Sequence, residues 1–600
     1  MARWRRAGLL RGGTAAARAG LQVSRGLVRE LELRRRPLAV TPLEVTGALG
    51  GQSPVRALRG PVREAMPTIA RFEDELASIE GLVERADAVL EHRFDLLGSG
   101  PTELGDEIDW HADFKTGRSW PLKHSSLLRT SYPDGSDIKV PWELSRSQHL
   151  PLLAGAYRLT SDRRYLDELG SQFQSWIAAN PVELGPNWAT TMDVAIRAAN
   201  WVAALALVAE QAENERWFAQ ALESLLLHGR FVRSHLEWSE ARGNHYLSDV
   251  VGLLPVAALF SGGWEGRAWA EWAARELASE MEHQVRPDGT AHEASTTYHR
   301  LVTELFLCGT QAADALVPSR LPDSYRARLD RMLEFVRDYT RPDGLAPQIG
   351  DADDGRFLPL GSYGADPRDH RHLFAQAARP FEPATASAAY PSGGYYVMRS
   401  RGLYAIVRCG DTGRYGRGGH SHNDQLSFEL TAGSEPLVVD PGTYVYTGDP
   451  QERNRFRATA YHSTLRVGGG EQNELHSDDL FLMKDRSRAE ALDSGETAFE
   501  GRHHGFPGAT HTRRLELVDG GLRIRDTVSS ATVQELEWTF PLAPGAERKV
   551  EIAAEGLEFL AEPGWYSARY GVRVPTTFLR ARRSSRAAED VTELRVRVIG

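Results

Sequence analysis

Four stretches of this sequence gather residue types that are expensive to order without a purpose. In RGNHYLSD, Asn244 and His245 follow Gly243 at what reads as a helix start. An Asn at such a place is more often a cap than a ligand. In RPDGTAHEASTTYHRLVTEL, Asp288-Gly289 turns the chain, and Glu293, Tyr298 and His299 follow within about three helical turns. A lone Tyr there is more often a core aromatic with a satisfied hydroxyl than a catalyst. In GRYGRGGHSHNDQLSFEL, the alternation of His420 and His422 puts both imidazoles on one face if the chain is extended, and the glycines let the backbone approach a substrate or metal closely. His-x-His is a weak metal signal until further ligands join it. VVDPGTYVY supplies Asp440 and RFRATAYHSTLRV supplies His462; two imidazoles and a carboxylate suit zinc. On spacing alone, the competing reading, with Asp440 opening a Pro-Gly turn and His462 in a strand, stands equal. Asp351, Asp353 and Asp354 in IGDADDGR suggest paired carboxylates for glycoside hydrolysis, or equally a solvated loop or calcium site.

Composition bounds what these residues can serve. The chain has 600 residues, 41% hydrophobic and 25% charged, as in an ordinary globular protein with a large core. Against 71 Lys+Arg stand 81 Asp+Glu, a formal net charge of -10 that argues against nucleic acid as partner but leaves room for a local basic groove. The only cysteines, Cys308 and Cys409, provide neither a disulfide framework nor a thiolate zinc cluster, so any metal must use His and carboxylates. No run of 18 apolar residues suggests a transmembrane helix. The Arg-rich opening has Arg11 and Arg18 where a signal peptide would need an apolar stretch, so the expected location is the cytoplasm. Residues 1–66 read as a basic arm, with Leu9, Leu10, Leu21, Leu27 and Leu31 available to face a surface.

The elements that must position these residues divide into two kinds. Residues 67–384 read as successive amphipathic helices; several are apolar round much of their circumference, which predicts a two-layered ring of helical hairpins. After ARPFEPATASAAYPSGG the period changes to two, and residues 385–600 read as an antiparallel β-sandwich, with Asp519-Gly520 marking a hairpin turn.

The order and content of GNHYLSD, DGTAHEASTTYH, GGHSHNDQLSFEL and DPGTY…RFRATAYHSTLRV resemble the heparinase II/III family of polysaccharide lyases, over most of the chain. The resemblance implies a multidomain α plus β protein: an N-terminal incomplete (α/α) toroid followed by a C-terminal antiparallel β-sandwich, with a glycan groove between them. It implies that Asn244 helps neutralise a uronate carboxylate, that Tyr298 and His420 are catalytic, and that His422, Asp440 and His462 hold a Zn(2+) that braces the sandwich. His245 and Glu293 follow as neighbours of the substrate. Where the family often has Asn after the last metal histidine, this chain has Ser463, which bears on the surroundings of the metal.

The implied reaction is β-elimination on a uronic-acid glycan. A base removes the C5 proton, the C4–O bond breaks, and an unsaturated uronate remains. The carboxylate must be neutralised as negative charge develops, by Asn244 with His245 or a protonated Glu293. Tyr298 and His420 divide the acid and base roles. Arg118, Lys139, Arg146, Arg197, Arg414 and Arg417 are candidate groove cations for an acidic polysaccharide, with Arg414 and Arg417 the main substrate-binding candidates. Two alternatives stand beside this reading: a hydrolase built on IGDADDGR, and a non-catalytic protein of glycan binding or exopolysaccharide assembly.

Overall fold

The structure, a computed structural model, describes residues 23–130, 132–586 and 588–599. Eight long helices form four consecutive hairpins: α1 (Leu150–Thr160), α2 (Arg163–Ala179), α3 (Thr191–Ala212), α4 (Arg216–Ser234), α5 (Asn244–Leu259), α6 (Trp264–Gln284), α7 (Thr296–Leu316) and α8 (Asp323–Tyr339). The odd-numbered helices pack on one another as an inner layer and the even-numbered ones cover them, giving the incomplete α/α toroid. Composition sorts the layers. In α3 every residue but Glu210 and Gln211 is buried, because an inner helix meets neighbours on both sides. That helix is long and apolar enough to cross a membrane, yet its apolar window lies wholly inside the protein. Outer α8 instead buries one stripe, Tyr325, Leu329, Met332, Leu333 and Val336.

The basic arm is only partly an arm. Helix 23–35 exposes Leu27 and Leu31, and its Arg29 is tied by two hydrogen bonds, of 2.8 and 2.9 Å, to Glu183. Leu9, Leu10 and Leu21 lie outside the described residues. From Pro42 onward short helices place Val45, Ala57, Leu58, Val62 and Met66 in the core of the toroid while Arg56 and Arg59 face outward. Residues 42–66, read from charge as part of a basic arm, are part of the helical layer through their apolar periodicity.

Fifteen strands follow. The first five, β1 (Ala388–Tyr390), β2 (Tyr395–Ser400), β3 (Leu403–Arg408), β4 (Phe428–Ala432) and β5 (Glu435–Val438), form an antiparallel sheet in chain order. After β6 (Leu465–Val467) come β7 (Glu490–Ser494), β8 (Ala498–His503), β9 (Ala509–Val518), β10 (Gly521–Ser530), β11 (Glu535–Pro541), β12 (Val550–Ala554), β13 (Leu560–Arg569), β14 (Val572–Ser584) and β15 (Ala588–Val598). They make a four-stranded sheet, β6-β11-β14-β13, and a six-stranded sheet, β7-β8-β9-β10-β15-β12. A bridge between Val438 and Leu542 joins the five- and four-stranded sheets into one layer, whose inner face shares a core with the six-stranded sheet. The Asp519-Gly520 turn joins β9 to β10 as expected, with Val518 opposite Gly521.

The period of two in β2 and β3 also explains how the domains join. Tyr396, Met398, Ala405 and Val407 enter the sandwich core, while Tyr395, Val397, Tyr404 and Ile406 belong to the toroid core. Tyr390 and Tyr395 pack against Phe335 of α8 with ring centroids 4.6 and 5.0 Å apart, and Tyr404 donates to the Tyr339 carbonyl at 2.7 Å. One sheet therefore serves both cores.

Close approach inside the toroid is set by Gly252 of α5, where a Cβ would lie 2.6 Å from the Ala195 carbonyl oxygen of α3. Gly252→Ala should lower stability by about 1–3 kcal/mol through overpacking, although Ala favours the helix by about 1 kcal/mol. Thermal unfolding of the variant checks this: an unchanged or raised midpoint contradicts the packing argument.

Candidate active site

A cleft of about 460 Å³ opens between the first turns of α5 and α7 and the sandwich loops that follow β3 and β5. Asn244 is the first residue of α5, with Gly243 as its N-cap, so its side chain is not a cap. Glu293 takes the capping role instead. Its Oε1 accepts the Asn244 backbone N–H at 2.6 Å, and its two oxygens accept Asn244 Nδ2 at 3.1 and 2.9 Å. The positive end of α5 and this carboxylate reinforce one another. A Cβ at Gly243 would lie 2.2 Å from Glu293 Oε1, so a larger residue there would displace this carboxylate. Asn244 Oδ1 is buried and has no partner.

Tyr298 lies in the first turn of α7, capped by Ser295, whose Oγ accepts the Tyr298 N–H at 3.1 Å. The Tyr298 ring stacks on His420, centroids 3.6 Å apart at 18°. Its hydroxyl donates to Asp353 Oδ2 at 3.0 Å and lies 3.2 Å from the Tyr446 hydroxyl. Burial, Asp353 and Asp351 together push the phenol well above its ordinary range, so it is protonated. The immediate partner of this hydroxyl is a carboxylate.

His420 spans two carboxylates, with Nδ1 2.9 Å from Asp351 Oδ2 and Nε2 3.2 Å from Glu293 Oε2. Burial alone would lower its proton affinity, but these two partners raise it. Glu293 is correspondingly ionised. Burial opposes its charge, and the His420 hydrogen bond and charge, with Arg414, overcome that opposition. The expectation of a protonated Glu293 does not hold for the free protein. Asp351 accepts from His420, from His422 Nε2 at 2.9 Å and from both terminal nitrogens of Arg453, one at 2.7 Å. Arg453 holds it ionised against burial, well below the usual carboxylate range.

His245 also lines the cleft, at its rim. Successive helix residues diverge by about 100°, and His245 is half-exposed at the rim, 3.2 Å from Glu237. Of the expected groove cations, Lys139, Arg146 and Arg414 line the cleft, joined by Arg242. Most are already paired: Lys139 with Asp353 at 3.3 Å, Arg146 with Glu143 and Asp193 at 2.7 Å each, Arg242 with Glu280 at 2.7 Å. The Arg414 guanidinium donates to the Ala241 carbonyl, at 2.8 and 3.2 Å, and among the described residues it is the lining Arg or Lys without a carboxylate within ion-pair distance. Arg417 is a correction. It is exposed and outside the cleft, and its backbone carbonyl accepts from Met483 N at 2.8 Å. Arg197 is another: it is buried against Trp176, 4.1 Å from the ring, inside the toroid, where desolvation pushes it down to about 9. Arg118 is committed to Asp134 at the surface.

His422, Asp440 and His462 offer one ligand atom each within 4.8 Å of one another, all buried. His422 is oriented by Asp351 through Nε2, and His462 Nδ1 lies 2.8 Å from Asp440 Oδ2. Each imidazole keeps one buried nitrogen without a partner, His422 Nδ1 and His462 Nε2. Such orphaned groups in a His/His/Asp set fit a divalent cation. Burial drives His422 down to about 4, leaving it neutral as a ligand must be. Ser463 takes no part in the triad; its hydroxyl bonds both the N–H, at 3.1 Å, and the carbonyl of Phe428 in β4.

The Asp-rich segment is divided among tasks that sequence did not separate. Asp351 anchors both histidines, Asp353 meets Tyr298 and Lys139, and Asp354 pairs with Arg569 at 3.0 Å. Arg453, Tyr446 and Phe481 escaped notice; Arg453 sits 4.8 and 5.3 Å from the two rings. The run ERNRFR was visible as charge, but nothing in its spacing distinguished the inward Arg453. Arg453→Met should cost about 3–5 kcal/mol, since it strips a buried carboxylate of its countercharge. A thermal midpoint equal to the parent's would refute the anchoring role.

Comparison with known proteins agrees with this layout. Residues 63–359 match the model described as "Heparinase II/III N-terminus" and residues 382–590 match "Heparinase II/III-like, C-terminal". A heparin-sulfate lyase of Pedobacter heparinus is 25% identical over 73% of this chain and 64% of its own length. The chain thus spans less than two thirds of that relative. A heparin-sulfate lyase of Bacteroides stercoris is 22% identical over 81% of this chain and 77% of its own. The crystal structure of a heparinase III superposes with a TM-score of 0.66 at 18% identity, covering 87% of this chain and 85% of that one, which establishes the shared fold. With two matching models that together span most of its length, and the same toroid and sandwich, the chain belongs to the heparinase II/III family.

Proposed function

We propose that the protein is a polysaccharide lyase that cleaves a uronic-acid glycan, of the glycosaminoglycan class, by β-elimination. The observation that carries this reading is the convergence on one cleft of an amide–carboxylate pair, Asn244 with Glu293, and a stacked acid–base pair, Tyr298 with His420. Hydrolysis would need two carboxylates on opposite sides of a bond with one free to meet substrate or water. Asp351 is fully buried under three donor side chains, and Asp353 is occupied by Tyr298 and Lys139.

A uronate entering the cleft brings its carboxylate to Asn244 and Arg414. It then stands beside Glu293, and two carboxylates in one site cannot both remain ionised, so they share a proton. That sharing neutralises the charge that makes C5 a poor acid. Donors placed where charge develops contribute about 2.7–4 kcal/mol each. Tyr298 and His420 then move the proton from C5 to the departing O4. His422, Asp440 and His462 would hold the metal, with Zn(2+) the best match to two imidazoles and a carboxylate; when bound it supplies a structural cross-link between sandwich loops.

Incubation with heparan, hyaluronan, alginate and bacterial capsule polysaccharides, followed by ultraviolet absorbance of the unsaturated uronate, tests the reaction. Absorbance should rise with at least one acidic polymer; new reducing ends without it would mean hydrolysis, and binding without either product would mean a glycan-binding role. Tyr298→Phe should lower turnover by about 10²–10⁴-fold with folding intact. Arg414→Ala should act mainly on KM, and a change confined to kcat would remove Arg414 from substrate binding. His462→Ala should lower metal content and thermal midpoint together, as elemental analysis and calorimetry would record. Loss of neither would dismiss the metal.

A further inference from the structure

We propose that Asp353 is the positioning residue for Tyr298, holding the phenol in its protonated form as the donor to the departing glycosidic oxygen. The inference rests on the elimination reading and assigns an acid role that Tyr298 and His420 otherwise share without distinction. Three observations meet at one carboxylate. Asp353 Oδ2 accepts the Tyr298 hydroxyl at 3.0 Å and the Lys139 ammonium lies 3.3 Å from the same oxygen. Oδ1 is fixed by the Gly355 N–H at 2.9 Å, so the carboxylate cannot turn away. Lys139 and Arg146 keep Asp353 ionised against its burial, which makes it a poor place to leave a proton. A phenol whose only strong acceptor is an anion that does not take protons keeps its own.

The other groups facing Tyr298 act in both senses, with the carboxylates outweighing the Tyr446 hydroxyl, Arg453 and the stacked His420, which oppose them. Asp351 and Glu293 add negative potential, the Tyr446 hydroxyl is a dipole, and the stacked His420 ring offers its face. Arg453, bound to Asp351, offsets part of that charge. Forming phenolate in the resting site therefore means placing a negative charge against Asp353, which argues against Tyr298 as the starting base. In the step itself the C4–O4 bond breaks with its electron pair passing to O4, and the Tyr298 proton moves to O4. The C5 proton, taken by the base, leaves to water, and water reprotonates the phenolate. The net change is transfer of one proton from C5 to O4.

The test follows Tyr298 directly, by the 13Cζ resonance of labelled tyrosine assigned through its loss in Tyr298→Phe. In the full-length parent this resonance should remain that of phenol through about pH 11. Asp353→Asn, which keeps shape and an acceptor but removes the charge, should bring the ionisation down by more than about one pH unit. Lys139→Met should leave Tyr298 protonated over the same range, because it removes only a positive charge. Loosening of the site would lower both variants alike and so refute the electrostatic role. On a cleaved polymer, Asp353→Asn should reduce kcat by about 10–100-fold, hold KM within about twofold, and lose activity at a lower pH on the basic side. A Tyr298 resonance that titrates identically in parent and Asp353→Asn, or full kcat in that variant, overturns the proposal even if elimination is confirmed. A shifted resonance in a protein that eliminates no uronate upholds the control of Tyr298 by Asp353 and discards the lyase reading instead.

Discussion

The arrangement of the cleft depends on one buried carboxylate. Asp351 has no exposed surface, yet it is charged, and Arg453 beneath it is equally buried. Desolvating two such ions is expensive, and it is offset only when every lone pair finds a donor. Here the remaining donors are His420 and His422, one lining the cleft and the other belonging to the His422, Asp440 and His462 cluster. The electrostatic requirement of Asp351 thus fixes two imidazoles two residues apart with opposite duties. The loop around them follows, since Asp351 N also donates to the His420 carbonyl at 2.8 Å.

Charge in the rest of the cleft obeys a similar economy. The proposed acidic substrate would call for free cations, but Lys139, Arg146 and Arg242 have carboxylate partners already. Paired cations give direction more than net attraction: Lys139 and Arg146 hold Asp353 and Asp193 ionised and in place, and Arg242 fixes Glu280, whose carboxyl burial still pushes up. Among the described residues lining the cleft, Arg414 is the cation left without a carboxylate partner, and it sits in a loop in which Arg414 and Tyr415 both adopt left-handed backbone, φ 46° and 55°. Such conformations cost of order 1–3 kcal/mol each and persist only where surrounding contacts compel them. The Tyr415 hydroxyl, bonded to the His283 carbonyl at 2.9 Å, is one such contact.

The division into helical and strand halves was legible because period 3.6 and period 2 leave different traces, and the Asn, Tyr and His positions stood out because polar residues crowd them. The contacts that give these positions meaning were not legible. Asp351 and Asp353 are two residues apart in an acidic run, and only the fold decides that one faces Arg453 and the other Tyr298. Arg417 and Arg414 look alike in GRYGRGG, and only two residues, Tyr415 and Gly416, separate a cleft residue from a solvent residue. Residues 42–66 misled through their charge, since arginines on an outer helix face conceal an inner face that is wholly apolar. His-x-His did not need an extended strand to bring both rings to one partner; a loop around a carboxylate sufficed.

The shared sheet explains why a site can be divided between domains at all. Asn244, Glu293 and Tyr298 belong to the toroid, His420 and Tyr446 to the sandwich, and their spacing of about 3 Å tolerates little relative motion. Domain interfaces are commonly polar and permit hinge motion. Here β2 and β3 bury alternate residues in both domains, so parting them would expose Tyr395, Val397, Tyr404 and Ile406 to water. Each such side chain favours burial by about 1.5–3 kcal/mol. The two-sided burial that makes these strands nearly continuous apolar runs is therefore also what holds the His420 ring against Tyr298, because any slip of the sheet on α8 would separate the stacked pair before it altered either domain internally.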